Sequence, residues 1–256
     1  MIHPTAIIDP DAYLHPTVTV GPYSVIGPGV VVGEGTIIEP HVVIKGPAHI
    51  GARNHIFQFS SIGEATPDLK YKGERTTVTI GNDNVIREHV TIHRGTVQDR
   101  GDTYVGNNNL IMCYVHIGHD SIVKNHTILV NNTALAGHVV VDDWVILSGY
   151  TLVHQFCKIG AHSFSGMGTA IGKDVPAYVT VSGSPAEART INTEGLRRRG
   201  FSDASLSDLR RAFKLIYRQG LTLDIAIERL EEMAADRPEI TPLLESLKLS
   251  ERGIVR

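Results

Sequence analysis

The chain has 256 residues and a formal net charge of −3, with 24 Lys and Arg against 27 Asp and Glu. A balance this close to neutrality gives no reason to expect nucleic acid or an anionic membrane as a partner, and no continuous apolar stretch predicts a signal peptide or a membrane-spanning helix. The two cysteines, Cys113 and Cys157, form neither a disulfide framework nor a zinc ribbon, so we expect a reducing, cytoplasmic location.

An aliphatic residue recurs at every sixth position from the beginning of the chain: Ile2, Ile8, Leu14, Val20, Ile26, Val32, Ile38, Ile44, Ile50, Ile56 and Ile62. A period of six fits neither a helix nor a lone strand. It is typical of a parallel β-helix of hexapeptide repeats, in which three successive hexads form one triangular coil. Glycine directly follows the aliphatic residue in several hexads (Gly21, Gly27, Gly33, Gly51 and Gly63), and we expect these glycines to supply unusual backbone angles at the corners.

Two polar insertions interrupt the repeat. The segment 63–79 lacks the aliphatic positions, and the repeat resumes in phase at Ile80, which predicts a loop that replaces, or bulges from, one full coil. The segment 98–104 shifts the phase by one residue. Long excursions from a regular rod are uncommon unless they have a function. Asp68 and Lys70 of the first loop suit a polar ligand or a neighbouring subunit, and a merely solvated loop is the alternative.

The repeat is most regular from residue 105 to residue 171. Every sixth residue there is aliphatic except Ser165, and a second series of mostly small residues follows four positions later. Eight histidines lie between His89 and His162, and none occupies a position of either series. We therefore expect these imidazoles on the outside or at the corners of the coils.

The segment His116-Ile117-Gly118-His119-Asp120 carries the densest group of reactive side chains. Because a coil takes three hexads, Asp120 and His138 should lie one above the other, with His154 about one coil further along. The spacing thus predicts that four imidazoles line one edge of the coils: His116, His119, His138 and His154.

An imidazole at such an edge is the natural general base at neutral pH, and Asp120 could orient it or stabilise its charged form. Gly137 offers a backbone N–H of the kind that stabilises an oxyanion. The absence of a G-x-S-x-G elbow favours direct, base-activated transfer over a covalent enzyme intermediate. Two alternatives remain open: a zinc site using His116-x-x-His119 between subunits of a trimer, and passive interface histidines.

After Ile171 the repeat fades, and from Asn192 the pattern is helical. Ser202 and Thr222 are suitable N-caps, Gly220 and Pro238 are stop signals, and a short helix is expected at 241–249. The pattern divides the chain into a β-helix of residues 1–190 and a helical domain of residues 191–256. A helical domain this small should pack on the open end of the solenoid or on another subunit.

Six arginines occur near the junction of the two domains: Arg189, Arg197, Arg198, Arg199, Arg210 and Arg211. Guanidinium groups bind phosphates bidentately, and helix N-termini add N–H donors. We expect a diphosphate or an acidic carrier protein as the ligand of these arginines. The alternative is that they form a merely solvated helix face.

Several longer strings are specific enough to name a family: DLKYKGE (68–74), TIHRGTV (91–97), HIGHD (116–120), NNTALAGHV (131–139), VHQFC (153–157), DVPAYV (174–179) and GLRRRGFS (195–202). The chain resembles the UDP-N-acetylglucosamine 3-O-acyltransferases that open lipid A synthesis, over essentially its whole length. The resemblance implies a left-handed β-helix and a homotrimer with active sites between subunits. It also implies transfer of an (R)-3-hydroxyacyl group from the phosphopantetheine of acyl carrier protein, with no other cofactor and no metal.

The resemblance also implies roles for individual residues. His119 matches the general base that takes the proton from the sugar 3-hydroxyl, Asp120 matches its partner, and the N–H of Gly137 matches the oxyanion donor. Residues matching the surroundings of the sugar and the acyl chain are His116, His138, His154, Gln155, Asp68 and Lys70. Residues matching contacts to the nucleotide or to the carrier's prosthetic arm are Asn192, Glu194, Arg198 and Arg199.

Met167 stands where family members that use longer acyl chains resemble one another in having Gly. A Met side chain there should close the end of an acyl groove, and each methylene in such a pocket contributes roughly 1–3 kcal/mol of discrimination. We therefore expect an acyl donor of about ten carbons. Alternative functions are another hexapeptide-repeat acyltransferase with a 3-amino acceptor or a coenzyme A donor, a zinc hydratase of the γ-carbonic-anhydrase kind, and a non-catalytic binding solenoid.

Overall fold

The computed structural model describes residues 1–256. It contains 27 short strands, in chain order β1 (Ile7–Ile8), β2 (Tyr13–Leu14), β3 (Thr19–Val20), β4 (Val25–Ile26), β5 (Val30–Val32), β6 (Ile37–Ile38), β7 (Val43–Ile44), β8 (Ala48–Ile50), β9 (His55–Ile56), β10 (Ser61–Glu64), β11 (Thr77–Ile80), β12 (Val85–Ile86), β13 (Thr91–His93), β14 (Asp102–Val105), β15 (Leu110–Ile111), β16 (His116–Ile117), β17 (Ile122–Val123), β18 (Ile128–Leu129), β19 (Ala134–Leu135), β20 (Val140–Val141), β21 (Ile146–Leu147), β22 (Leu152–Val153), β23 (Lys158–Ile159), β24 (Phe164–Ser165), β25 (Ala170–Ile171), β26 (Val179–Ser182) and β27 (Glu187–Ile191). The helices are α1 (Thr193–Arg198), α2 (Asp203–Tyr217), α3 (Leu223–Ala234) and α4 (Thr241–Lys248), with a 3₁₀ turn at Pro238–Ile240.

Successive strands belong to three different sheets in rotation, which builds a triangular prism. Face A has ten strands (β3 to β27), face B has nine (β1 to β25) and face C has eight (β2 to β23). Within the regular region, partners on one face lie three hexads apart along the chain, as Ile117 and Leu135 do on face B. The predicted coil of three hexads is therefore confirmed.

The inward positions are those predicted from the period of six. From residue 105 to residue 171, both the aliphatic series and the small series are buried, including Ser165. Ile2 is 47% exposed because it lies at the open first coil, with nothing beneath it. No histidine is buried in the prism, in agreement with the predicted register.

Of the glycines that follow the aliphatic positions, Gly63 has the positive φ that was expected (77°), whereas the other four have a different role. Gly21, Gly33 and Gly51 do not have positive φ angles, and the left-handed corners are instead taken by residues such as His41 (φ 57°) and His138 (φ 62°). A Cβ at Gly33 would lie 2.7 Å from the carbonyl carbon of Gly51 in the next coil. The expectation of special backbone angles is wrong at these positions, because stacking of the coils, and not φ, excludes a side chain there.

The first insertion is shorter than the sequence suggested, the second begins earlier than predicted, and neither replaces a coil. Ser61 pairs with Thr91, which lies five hexads further along the chain instead of three, so the first insertion adds two hexads; its loop is 65–76, between β10 and β11. Thr77 pairs with Asp102, four hexads and one residue further along, so the second adds one hexad and one residue; its loop is 94–101. Both ends of the predicted segment 63–79, and the last three residues of 98–104, are strand residues. Their outward side chains are polar, which concealed their alternation with buried ones.

Each insertion joins a strand of face B to the next strand of face C. The two loops therefore leave the prism along the same corner, which we call the B–C edge. This edge also contains the turns after β16, β19 and β22, so the loops stand beside the turns that contain His119, His138 and His154.

The helical part closes the last coil of the prism. Ser202 and Thr222 cap α2 and α3 through their side chains, as predicted. The Ser246 hydroxyl accepts a hydrogen bond from the Ala177 N–H (3.0 Å), and the Val255 N–H donates to the Asp174 carbonyl (2.9 Å). These contacts confirm that the helices pack on the open end of the solenoid. No helix is both long enough and apolar enough to cross a bilayer.

Candidate active site

His119 lies at the B–C edge, in the turn that follows β16. Its Nδ1 donates a hydrogen bond to Oδ2 of Asp120 at 2.8 Å, because a carboxylate can only accept. The His119 side chain is 17% exposed, whereas that of Asp120 is fully buried. The imidazole thus presents Nε2, as a free acceptor, to the outside of the prism.

Asp120 is fixed by residues of the second loop and of β14. The Thr96 N–H and hydroxyl donate to its two carboxylate oxygens at 2.8 and 2.7 Å. The Asp120 N–H donates to the Thr103 hydroxyl at 2.8 Å. The two donors of Thr96 are neutral and compensate the burial of a carboxylate that pairs with no Lys or Arg. They leave its charge available to an imidazolium at His119.

Gly137 follows β19 in the next coil and lies directly against the His119 ring. A Cβ at Gly137 would be 2.6 Å from both Cε1 and Nε2 of His119, which only glycine avoids. The Gly137 N–H donates to no acceptor in the protein. A free N–H donor therefore lies next to a free imidazole nitrogen, the pairing required for attack on a carbonyl group.

His138 completes this group. Its ring meets the His119 ring edge-on at 4.9 Å and stacks on Phe156 at 4.4 Å. Its Nδ1 donates to Oδ2 of Asp99 at 2.7 Å and is 4.0 Å from Oδ2 of Asp120. Asp99 belongs to the second insertion, for which the sequence indicated a function without identifying the residue.

His116 lies on β16, on the outside of face B. Its Nδ1 is 2.8 Å from the Thr91 hydroxyl, and burial lowers its pKa to about 4. The His93 ring meets it edge-on at 5.0 Å; burial lowers the pKa of His93 as well, and its buried Nδ1 has no partner. Both rings are therefore neutral at pH 7. Sequence reasoning missed His93, although it has the same register position as His154.

Two family models match parts of the chain. Residues 174–255 match the family model described as UDP-N-acetylglucosamine O-acyltransferase, domain 2, and residues 1–34 match the bacterial transferase hexapeptide model. The acyl-[acyl-carrier-protein]–UDP-N-acetylglucosamine O-acyltransferase of Stutzerimonas stutzeri is 66% identical over 100% of this chain and 99% of its own. The chain belongs to this acyltransferase family.

Solved structures of the family have the same fold. The UDP-N-acetylglucosamine O-acyltransferase of Moraxella catarrhalis superposes with a TM-score of 0.99 at 46% identity, covering 100% of this chain and 99% of that one. The enzyme from Acinetobacter baumannii gives 0.98 at 52% identity, with the same coverage. The predicted left-handed β-helix with a helical C-terminal part is thus confirmed.

The other residues predicted to surround the sugar and the acyl chain are spread along the B–C edge. His154 and Gln155 follow β22 and are exposed, and the His154 Nδ1 donates to the Gln155 carbonyl at 3.1 Å. Asp68 accepts a hydrogen bond from the Lys70 N–H at 2.9 Å in the first loop. Neither Asp68 nor Lys70 forms a hydrogen bond with the group around His119.

The predicted nucleotide residues surround a separate cavity of about 740 Å³ between face A and α1. The Arg199 guanidinium lies 5.2 Å over the Trp144 ring and 3.1 Å from Nδ1 of His162. Arg198 pairs with Glu194 at 2.9 Å. Burial lowers the pKa of Arg199.

Asn192 also lines this cavity, and its side chain caps α1 by accepting from the Gly195 N–H at 3.1 Å. The six arginines of the junction do not form one cluster. Arg197 pairs with Asp203 and Arg211 with Asp208, and Arg189 and Arg210 line a different groove of about 200 Å³. The expectation of a single cluster is wrong because the helical turn directs consecutive arginines to different sides.

Met167 lies in the turn between β24 and β25, at the corner where face A meets face B, and is 79% exposed. It is thus on the opposite edge of face B from His119. Between them, face B presents the outward side chains of Ala134, Leu152 and Ala170.

His119, Asp120 and His138 also satisfy the geometry of a metal site, since each offers a ligand atom and these atoms lie within 4.8 Å of one another. In the structure, however, the Nδ1 atoms of both rings donate to carboxylates: His119 to Asp120 and His138 to Asp99. These hydrogen bonds orient both imidazole rings and give the carboxylate oxygens of Asp120 and Asp99 a partner other than a cation.

Proposed function

We propose that this acyltransferase moves an (R)-3-hydroxyacyl group from acyl carrier protein to the 3-hydroxyl of UDP-N-acetylglucosamine. One observation carries the catalytic assignment: Nε2 of His119 is free and lies against Gly137, whose N–H is unpaired, while Nδ1 of His119 is fixed by buried Asp120. Family membership supplies the substrates, since relatives 66% identical over the full chain have both in their names.

In the proposed mechanism, Nε2 of His119 accepts the proton of the sugar 3-hydroxyl as its oxygen attacks the thioester carbonyl. The Gly137 N–H stabilises the oxyanion of the tetrahedral intermediate. Collapse breaks the C–S bond, and the His119 imidazolium returns the proton to the leaving phosphopantetheine thiolate. Asp120 stabilises the imidazolium during this sequence, as the carboxylate does in a catalytic triad. No group of the protein becomes acylated, and no cofactor other than the carrier's prosthetic arm is required.

We propose that the working unit is a homotrimer. Within one chain, the cavity beside Arg198 and Arg199 is bounded by face A, whereas His119 is at the B–C edge. A neighbouring copy that brings its Arg198 cavity to this edge would place nucleotide contacts beside the base, which one chain does not do. The first loop, with Asp68 half-buried and Lys70 exposed at the same edge, would then face that neighbour.

Met167 would set the length of the acyl chain. It lies three coils beyond His119 across face B, and coils are about 4.8 Å apart, so the path rises by roughly 14 Å. A chain of about ten carbons is the length we propose for this groove. We further propose a cytoplasmic location, which suits the free Cys113 and Cys157.

The identity of the product tests this function. Purified protein is incubated with UDP-N-acetylglucosamine and a mixture of 3-hydroxyacyl carriers, and mass spectrometry should show an O-acylated sugar nucleotide. A 3-amino acceptor or a coenzyme A donor, offered in parallel, should react poorly. Stoichiometric zinc by elemental analysis, together with loss of transfer on chelation, would instead support the metal alternative.

The His119→Ala variant tests the base. Turnover should fall by about 10² to 10⁴-fold, the usual contribution of a general base. The matched control is His49→Ala, which removes an exposed imidazole from face C in the first coils and should retain normal turnover. Near-normal activity of His119→Ala would refute the assignment.

A further inference from the structure

The second loop, 94–101, reaches from the coil below His119 to the coil above it. Asp99 of this loop accepts a hydrogen bond from Nδ1 of His138 at 2.7 Å. The loop begins after β13, whereas His138 follows β19, two coils further along, so it spans about 10 Å of the edge. This reach requires the extra hexad and single residue that the insertion adds to the repeat.

His138 has no orientational freedom left in this arrangement. Phe156 stacks on one face of the ring at 4.4 Å, His119 meets it edge-on at 4.9 Å, and Asp99 fixes Nδ1. Nε2 is the one ring nitrogen without a hydrogen bond. In an imidazole free of such a partner, the proton would exchange between the two nitrogens, and Nε2 would present a donor in some molecules and an acceptor in others.

We propose that Asp99 is a positioning residue of the transfer reaction and acts through His138. By accepting the Nδ1–H, its carboxylate fixes the tautomer and the ring plane, so that Nε2 faces the substrate beside His119. This inference rests on the proposed function, in which His138 borders the sugar and the acyl chain. The same logic governs the carboxylates that orient catalytic histidines in other enzymes.

The second loop contacts the environment of both rings, His119 and His138, from a single turn of its backbone. The Thr96 carbonyl accepts from the N–H groups of Asp99 (3.3 Å) and Gly101 (3.0 Å), which closes the turn. Thr96 donates twice to Asp120, the partner of His119. One short segment therefore provides donors to the carboxylate that orients the base and an acceptor to His138, which fixes the relative position of the two rings.

The Asp99 side chain is 39% exposed, so water competes for its hydrogen bond. We therefore expect Asp99→Ala to lower kcat/KM by about 10-fold, at the lower end of the range for a bond to a charged group. Asp99→Asn should lose less, because its amide oxygen can still accept the Nδ1–H. The matched control, Arg100→Ala, changes the adjacent residue of the loop, whose side chain forms no hydrogen bond, and should retain wild-type kinetics.

A double-mutant cycle with His138→Ala separates positioning from loop stability. If Asp99 acts through His138, Asp99→Ala should change kcat/KM less than twofold in the His138→Ala background. An undiminished loss in that background, or no loss in the wild-type background, would overturn the proposal. Nitrogen-15 NMR of the histidine rings gives a readout without substrate: His138 should be protonated at Nδ1 in the wild type and lose this preference in Asp99→Ala. If the wild type showed no transfer activity, the proposed function would be refuted. The NMR result would still decide whether Asp99 sets the tautomer of His138.

Discussion

Replacing Gly137 by Ala tests the geometry of the site with one added methyl group. The Gly137 backbone does not have a positive φ, so alanine causes no backbone strain there. The new Cβ would, however, lie 2.6 Å from Cε1 and Nε2 of His119. We therefore expect the substitution to reduce activity and to leave the stability of the prism nearly unchanged.

The size of the effect follows from the displacement of the ring. A comfortable contact between such atoms requires about 3.5 Å, so the imidazole must move by about 1 Å. It cannot do so freely, because its Nδ1 is bonded to Asp120 at 2.8 Å and its ring packs against His138. A misplacement of about 1 Å at a reacting group costs about 100-fold in rate, which is the loss of kcat that we expect.

The assay is the initial rate of O-acylation at saturating concentrations of both substrates, with thermal unfolding measured on the same samples. Gly172→Ala is the matched control, because a Cβ there meets no atom within 4 Å and its φ is not positive. The control should keep both its rate and its melting temperature. A Gly137→Ala enzyme that retains kcat within threefold of the wild type would refute the placement of His119 against this residue.

Three further predictions concern the acyl groove, the neutral imidazole of face B and the buried carboxylate. Met167→Gly should shift the preferred donor to longer 3-hydroxyacyl chains in a competition among carriers, and an unchanged preference would remove Met167 as the length determinant. Burial lowers the pKa of His116 to about 4, below the value of about 6.5 in an unfolded chain, so its contribution to stability is complete above pH 6.5 and is lost as the pH falls towards 4. In His116→Asn, the free energy of unfolding should fall less steeply with falling pH than in the wild type, by at most about 1.4 kcal/mol per pH unit. Denaturant titrations at pH 7 and pH 5 measure this loss, and an equal loss in the two proteins would contradict the prediction. Thr96→Val removes the hydroxyl donor to Asp120 and should lower the free energy of unfolding by about 1.5–3 kcal/mol in urea titrations, where an unchanged midpoint would show that this bond contributes little.

Much of the prism could be predicted from the sequence because its repeat has a fixed period. Counting by sixes placed Ile117, Leu135 and Val153 inside, and counting three hexads from Asp120 placed His138 in the adjacent coil, as the structure has them. Counting by sixes failed at the two insertions. Polar strand residues such as Thr77 resemble loop residues there, because the strands that they pair with lie more than three hexads away along the chain.

Which side chains face into the prism therefore follows from the sequence alone. The period of six fixes this, because each residue of a coil repeats the environment of the residue three hexads before it. The tertiary structure alone decided which outward groups meet. The reach of the second loop to His138, the edge-on contact of His93 with His116, and the separation of the Arg198 cavity from His119 depend on the path of the inserted loop and on the packing of the coils and helices. No period in the sequence encodes these contacts, because they join residues that have no fixed spacing along the chain.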